Sequence, residues 1–163
     1  GQFSNWTTPL TVSAAESAAG LRRGRGVALQ ECFGTIVAEV CEVAVETSGA
    51  IRVERVFAVV DCGIVVNPDN ARAQIEGGVL FGLSAALGER ITIDQGRVAQ
   101  SNFHDYPLLR LPDAPQVEVE FIASTEPPGG LGEPGTAAIA AALANAIHAA
   151  SGKRIRELPI TPA

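Results

Sequence analysis

A glycine-rich turn that leads directly into an alanine-rich segment constrains this chain more than any other feature. The turn, residues 129–135, reads Gly-Gly-Leu-Gly-Glu-Pro-Gly, and residues 136–150 are mostly alanine. Glycine permits close backbone contacts that a Cβ prevents, and the alanine-rich residues predict a helix that ends at Gly152. Glu133 is therefore predicted to be held beside a helix N-terminus, which offers unpaired N–H groups. A turn that only reverses the chain would have the same sequence, and that alternative stays open.

The composition bounds the size of the protein and its partners. With 163 residues the chain is expected to form a single domain, 1–163, although two small lobes at 1–60 and 61–163 are an alternative. Hydrophobic residues make up 47% of the chain and charged residues 18%, yet no apolar run is long enough for membrane insertion. The many apolar side chains must either fill a large core or form a surface that faces a partner. A net charge of −6 argues against nucleic acid and anionic membranes as partners.

The cysteines and histidines do not have the spacing of a metal site. The three cysteines are far apart in sequence, and two histidines are too few for a histidine-rich centre, so we predict no metal ligands. Because Cys32, Cys41 and Cys62 lie in apolar, strand-like sequence, we expect buried, reduced thiols. His104 and Asp105 could form an acid–base pair, but a loop hydrogen-bonding role is favoured because adjacent strand residues point to opposite faces. Neither receives a catalytic role.

The order of the elements predicts an α+β fold. A capping box at residues 13–16 predicts a helix to about Arg23, followed by a turn at residues 24–26. Further β-rich segments are predicted within residues 27–45, 51–60 and 116–122, with a hairpin turn at residues 94–96. Together these elements predict one mostly antiparallel sheet with about three packed helices.

A glycine-containing helix is predicted to begin at Asn67-Pro68, a favourable N-cap followed by proline in the first turn. Its apolar stripe consists of Ala71, Ile75, Val79, Leu83 and Leu87. Gly77, Gly78 and Gly82 interrupt it, and each weakens a helix by up to about 1 kcal/mol relative to alanine. We expect these glycines to let another segment pack very close to the helix backbone, although a merely weak helix is the alternative.

Two separated motifs together resemble one known family. The first runs from Val59-Val60-Asp61-Cys62-Gly63 through Asn67-Pro68 to Gln74-Ile75-Glu76-Gly77, and the second is Gly130-Leu131-Gly132-Glu133-Pro134 with its downstream helix. At this separation the two motifs resemble the C-terminal part of the large molybdenum-binding subunit of the xanthine dehydrogenase/aldehyde oxidase family. The nearest branch is the isoquinoline 1-oxidoreductase β subunit, and the resemblance covers nearly the whole chain.

The resemblance implies a chemistry and a set of site residues. In this family a molybdenum ion on a molybdopterin cofactor, here expected in its cytosine dinucleotide form, oxidises an N-heteroaromatic ring or an aldehyde. The glutamate that matches Glu133 is the base that deprotonates a molybdenum-bound hydroxyl. By the same matching, Gln74, Gly77, Gly78 and Gly132 would lie at the cofactor, with Gly132 letting the backbone approach it. The C-terminal lobe of a molybdenum-cofactor-binding domain is the implied fold.

The resemblance also implies that this chain is incomplete as an enzyme. In the family the preceding region of the same subunit supplies further cofactor contacts, and a separate iron–sulfur subunit carries the electrons away. We therefore expect a fragment that is inactive and binds no cofactor alone, from a cytoplasmic or periplasmic enzyme. The alternative is a non-catalytic interaction module that docks on a larger subunit through its apolar surface.

Overall fold

The computed structural model describes residues 20–160 as a sheet with helices packed on one face. The strands are β1 (Arg22–Cys32), β2 (Thr35–Val45), β3 (Ile51–Asp61), β4 (Ile93–Asp94), β5 (Arg97–Val98) and β6 (Gln116–Phe121). The helices are α1 (Pro68–Leu87), α2 (Pro134–Ala137) and α3 (Ile139–Ser151), and Leu111–Asp113 forms a short 3-10 helix. The main sheet has the order β1-β2-β3-β6, and β4 and β5 form a separate hairpin. This architecture confirms the predicted α+β class.

The main sheet is mostly antiparallel, as predicted. β1 pairs with β2 and β2 with β3 in antiparallel fashion, whereas β6 joins β3 in parallel. The core face of β2 consists of Thr35, Val37, Glu39, Cys41 and Val43, all fully buried. Because α2 and α3 pack against β2, the side chains on this face contribute the middle of the core.

The predicted turn at residues 24–26 is wrong, and so is the helix end near Arg23, because both lie within β1. The capping box at residues 13–16 lies outside the described residues. A Cβ on Gly26 would overlap the backbone of α3 at Ala142 and Ala146. Glycine occurs here because a helix lies directly on the strand, a tertiary contact that local turn statistics cannot reveal.

The β-rich segment at residues 27–45 contains a turn that the sequence pattern did not predict. Phe33 and Gly34 join β1 to β2, with φ angles of 55° and 73°. A two-residue hairpin turn needs positive φ at both positions, which favours asparagine and glycine rather than phenylalanine. The predicted β-rich segments 27–45 and 51–60 are confirmed as strands, and β2 and β3 pair in antiparallel fashion.

The start of α1 is confirmed, and so is its close packing at Gly78 and Gly82. The prediction of close packing is wrong at Gly77, where an added Cβ would have no atom of the described residues within 4 Å. The Asn67 side chain accepts a hydrogen bond from Asn70 N at 3.0 Å, and Pro68 opens the helix. Four members of the predicted stripe are buried, namely Ala71, Ile75, Val79 and Leu83. A Cβ on Gly78 would lie 3.2 Å from Gly135 Cα, and one on Gly82 would overlap Ile139. Both glycines therefore allow α2 and α3 to approach α1.

The predicted C-terminal helix is present as two pieces. α2 and α3 are separated at Ala138, and α3 ends at Gly152 with φ 77° and an N–H bond to His148 O at 2.8 Å. Ile139, Ala142, Leu143 and Ala146 of α3 are fully buried. The small alanine side chains of α3 lie against the glycines of β1, so the helix and the strand pack at a short distance.

The outer face of the sheet carries charges and exposed apolar side chains. Arg25 and Arg55 both pair with Glu42, the latter at 3.7 Å, which links three strands by ion pairs worth little individually. Val27 and Leu29 of β1 are exposed. No helix within residues 20–160 has the length and hydropathy of a membrane span.

Two of the three cysteines match the prediction of buried, reduced thiols. All three are free, and Cys41 and Cys62 are buried. Cys32 is only half-buried, because it is the last residue of the edge strand β1 beside an exposed turn. Burial raises the pKa of the Cys41 thiol to about 12, which keeps it protonated.

Glu39 is a buried carboxyl group in the middle of the sheet. Its relative exposure is 0%, it lies between Ala28 and Ala58 on the neighbouring strands, and neither oxygen has a hydrogen-bond partner among residues 20–160. Removal from water disfavours the charged form and raises the pKa of Glu39 to about 8. Glu39 is therefore an uncharged acid at neutral pH.

Glu39 makes stability depend on pH, and Glu39→Gln should remove that dependence. Between about pH 4.5 and 8 the unfolded chain releases this proton while the folded protein keeps it, so the free energy of unfolding falls as pH rises. The loss should approach about 1.4 kcal/mol per pH unit in this window. Urea titrations across this pH window should show a flatter decline for Glu39→Gln, whereas exposed Glu31→Gln should keep the original slope. Parallel declines for Glu39→Gln and the original protein would contradict this role.

Candidate active site

An open cleft lies between α1 and the glycine-rich turn. It has a volume of about 510 Å³ and is lined by Gln74, Gly77, Gly78, Phe81, Gly132, Glu133, Thr136 and Ala137. All five residues singled out by sequence, Gln74, Gly77, Gly78, Gly132 and Glu133, are therefore brought together from two segments far apart in the chain. The fold thus builds one concave surface from two distant motifs.

Helical spacing explains how residues of α1 form one wall of the cleft. Gln74, Gly77, Gly78 and Phe81 are separated by three, one and three residues, which places them on one side of the helix. The neighbouring side carries the buried stripe, and α1 packs against α2, α3 and β6. The Asn67 cap fixes where the helix begins.

The glycine-rich turn is fixed at both of its ends. Gly129 N donates a hydrogen bond to Cys62 O at 2.8 Å, immediately after β3. Nearer the cleft, Gln74 Nε2 donates to Gly132 O at 3.1 Å. Gln74 therefore links the two walls and holds the backbone beside Glu133.

Glu133 lies on the cleft wall where the turn becomes helical. Its carbonyl accepts hydrogen bonds from Thr136 N at 2.8 Å and Ala137 N at 3.2 Å, so its backbone is part of the first turn of α2. The carboxylate does not cap α2, and the residue is exposed. Thr136 also donates a hydrogen bond from Oγ1 to Gly78 O at 3.0 Å, which fastens α2 to α1. The result is an accessible carboxylate on an anchored backbone.

Two of the cleft glycines are not explained by packing within the described residues. A Cβ on Gly77 or on Gly132 would have no atom within 4 Å, whereas one on Gly135 would lie 2.7 Å from Ile75 O. Each wall of the cleft thus has one position, Gly77 or Gly132, at which no side chain projects into the space. A flat group could lie against this surface, and a Cβ at either position would take up part of its space.

The polar groups of the cleft suit a ligand that brings its own metal ligands. Residues 20–160 contain no cluster of three or more side chains able to hold a metal ion. The cleft instead offers the amide of Gln74, the carboxylate of Glu133 and backbone groups. These residues could act as hydrogen-bonding neighbours of a group bound in the cleft.

The sequence interpretation missed Phe81, Thr136 and Ala137 in the cleft lining. Phe81 could have been found, because it follows Gly77 by four residues on the same helical face. It is 66% exposed, an unusual setting for a large aromatic side chain. Thr136 gave no signal, because its hydrogen bond spans 58 residues of sequence.

His104 and Asp105 lie outside this cleft. The Asp105 carboxylate accepts hydrogen bonds from Ser101 N and Asn102 N, at 2.9 and 3.0 Å from Ser101 and 2.9 Å from Asn102. These bonds lower the pKa of Asp105 to about 2, the bond from Asn102 contributing most. The predicted loop hydrogen-bonding role of Asp105 is thereby confirmed.

Comparison with known proteins identifies the family of this chain. The family model described as a molybdopterin cofactor-binding domain matches residues 9–115. The matched range includes Gln74, Gly77 and Gly78 and ends before Gly132 and Glu133.

Individual relatives and solved structures are similar over much of the chain. It is 44% identical over 125 residues to the membrane-bound aldehyde dehydrogenase [pyrroloquinoline-quinone] of Gluconacetobacter polyoxogenes, an alignment covering 76% of this chain and 16% of that protein. It is 40% identical over 139 residues to the isoquinoline 1-oxidoreductase subunit beta of Brevundimonas diminuta. That alignment covers 85% of this chain and 18% of that protein. The structure of quinoline 2-oxidoreductase from Pseudomonas putida 86 aligns with a TM-score of 0.73 and 27% identity, covering 78% and 18%.

These alignments also show how small a part of each relative is matched. The chain spans 16% and 18% of the two curated relatives, and 18% of the aligned structure. Because the family model matches more than half of the chain, the protein belongs to the molybdopterin cofactor-binding domain family.

Proposed function

We propose that this chain is a C-terminal part of the catalytic subunit of a molybdenum hydroxylase, with Glu133 as the catalytic base. The observation that carries the proposal is the single cleft in which Glu133 lies beside Gln74, Gly77 and Gly132. A general base must sit within hydrogen-bond reach of the proton it takes, so an accessible carboxylate on an anchored backbone suits the task.

We propose that the cleft contributes to binding of the molybdopterin cofactor of the family. The side-chain-free positions Gly77 and Gly132 would accept a flat ring system, and Gln74 would offer hydrogen bonds at one end. Gly78 would contribute indirectly, because it lets α1 pack against Gly135 and so sets the width of the cleft. When bound, the molybdenum centre supplies the two-electron oxidation of the substrate. A cytosine dinucleotide form is the more specific proposal.

Glu133 would act on the proton that must leave during hydroxylation. Its carboxylate would accept the proton of the water-derived hydroxyl group that is transferred to the substrate. The Gln74–Gly132 hydrogen bond would keep the carboxylate at a constant distance from that proton. Phe81 and Ala137, the apolar members of the lining, would give the cleft an apolar surface for the substrate.

The substrate class and partners are proposed from chemistry and likeness together. Relatives are named for oxidation of isoquinoline, quinoline and aldehydes, so an N-heteroaromatic ring or an aldehyde is proposed here. The preceding region of the same subunit would complete the cofactor site, and an iron–sulfur subunit would accept the electrons. One relative is named for pyrroloquinoline quinone instead, which makes cofactor content a necessary measurement.

A non-catalytic interaction module is the second candidate. It is favoured by the exposed Val27 and Leu29 on the outer face of the sheet. Size-exclusion chromatography of the native extract distinguishes the hydroxylase from the interaction module. The fractions are followed with an antibody and by molybdenum-detecting mass spectrometry. Co-elution of antigen and molybdenum well above 16.9 kDa supports the hydroxylase. Antigen that elutes without molybdenum supports the interaction module. Antigen that co-elutes with a quinone cofactor would show that the quinone, and not molybdopterin, is the cofactor.

Glu133→Gln tests the proposed base in the assembled enzyme. The amide keeps the shape of the side chain but cannot accept the proton, so turnover should fall by orders of magnitude, about 100-fold or more. Molybdenum content, measured by mass spectrometry, should stay unchanged. Glu126→Gln is the matched control, because Glu126 is exposed and lies outside the cleft lining, and it should keep full turnover. Near-normal turnover of Glu133→Gln would remove Glu133 as the base.

Gly77→Ala tests the cofactor surface separately from the chemistry. Alanine at this helical position should raise the free energy of unfolding by up to about 1 kcal/mol, since nothing lies within 4 Å of its Cβ. The same methyl group would enter the cleft and should lower the molybdenum bound per subunit.

Ala73→Gly is the reverse exchange at an exposed position of α1 outside the cleft lining. It should lower the free energy of unfolding by up to about 1 kcal/mol and leave molybdenum content unchanged. The pair therefore separates helix stability from cofactor binding. A stabilised Gly77→Ala variant with full molybdenum content would show that this wall does not contact the cofactor.

A further inference from the structure

The turn between β1 and β2 holds the glycine-rich turn by two hydrogen bonds in opposite directions. Thr35 Oγ1 donates to Gly130 O at 2.8 Å, across 95 residues of sequence. Gly130 N donates to Phe33 O at 2.9 Å. Both polar groups of the Gly130 backbone are thus fixed, close in sequence to Glu133.

The two turns are in direct contact. A Cβ on Gly129 would lie 2.5 Å from both Gly34 O and Thr35 Oγ1, and one on Gly130 would lie 2.9 Å from Phe33 Cβ. Neither glycine could gain a side chain without moving the backbone. The glycine-rich turn therefore rests on the hairpin turn, and a shift of one requires a shift of the other.

The hairpin turn is itself held in an uncommon conformation. Phe33 has φ 55°, a region that bulky side chains rarely adopt and that costs about 1–3 kcal/mol. Its ring is 66% exposed, so burial of the ring does not offset that cost. The conformation does direct the Phe33 carbonyl to Gly130 N, which is a contact that the strained backbone makes possible.

Thr35 is the fully buried partner in this contact. Its relative exposure is 0%, so its side chain is enclosed by the core while its hydroxyl group donates to Gly130 O. Without that donor, Gly130 O would lose its hydrogen bond to β2 and the turn could relax away from the strand. A small displacement of a catalytic group can cost about 100-fold in rate.

We propose that Thr35 is a positioning residue that sets the place of Glu133 through its hydrogen bond to Gly130. This inference rests on the proposed function, because it takes Glu133 as the base. Thr35 does not line the cleft, so it would act on the rate of the chemical step and not on substrate binding.

Thr35→Val in the assembled holoenzyme is the first test. Valine keeps the shape and loses the hydroxyl group, so kcat should fall about tenfold or more while KM and molybdenum content change little. Isoquinoline and benzaldehyde serve as probe substrates, with ferricyanide as electron acceptor. Thr35→Ser keeps the donor and should retain kcat within about twofold. Should Thr35→Val fail to accumulate, Thr35→Cys offers similar volume with a weak donor and should show the same loss.

Val43→Ala is the control for general destabilisation. Val43 is buried on the same face of β2 but farther along the strand, so its truncation lowers thermal stability by a cavity effect. Well below its melting temperature, this variant should keep kcat. A loss of kcat in Val43→Ala equal to that in Thr35→Val would show that any damage to β2 suffices and would overturn the proposal.

A double variant tests whether Thr35 acts through Glu133. In the Glu133→Gln background, Thr35→Val should cause no further loss in the single-turnover rate, because the group being positioned is absent. A full additional loss would overturn the proposal, as would normal kcat in Thr35→Val or equal losses in Thr35→Ser and Thr35→Val. Normal turnover of Glu133→Gln alone would instead refute the proposed base, so the two failures are distinguishable.

Discussion

Close backbone packing at glycines is the constraint on which the rest of this structure depends. Gly26 lets α3 lie directly on β1, and Gly135 lets the start of α2 lie directly on α1. Each contact would be blocked by a single Cβ, so neither glycine can be replaced by a larger residue with small adjustments. The alanines of α3 belong to the same arrangement, because larger side chains would separate helix and strand. The cleft lies at Gly77 and Gly132, where the two walls do not make such a close contact.

The elements that could be predicted from sequence are those whose signals are local. The Asn67 cap, the apolar stripe of α1 and the terminal Gly152 depend on neighbouring residues, and the structure has all three. The elements that were mispredicted depend on distant contacts. Gly26 looks like a turn residue but lies in a strand because α3 covers it, and Phe33 occupies a turn position that its own preferences disfavour.

The site shows the same division between local and distant information. The five proposed site residues were selected by two motifs, and the fold brings those motifs to one cleft. Phe81 follows the helical spacing of the first motif and could have been included. Thr35 could not, because a threonine in a β-rich segment carries no sign that its hydroxyl group reaches a carbonyl 95 residues away. A residue that supports a site from the core is thus harder to predict from sequence than the residues that line the site.

The hydrogen bonds of the cleft also bear on how the chain is organised. Gly130 is held by Phe33 and Thr35, which belong to residues 1–60, whereas Gly132 is held by Gln74, which belongs to residues 61–163. α3 packs on β1 across the same boundary. A lobe comprising only residues 61–163 would keep Glu133 and Gln74 but lose the support beneath Gly130. We therefore propose that the chain acts as a single domain, because the geometry of the candidate base depends on both halves of the sequence at once.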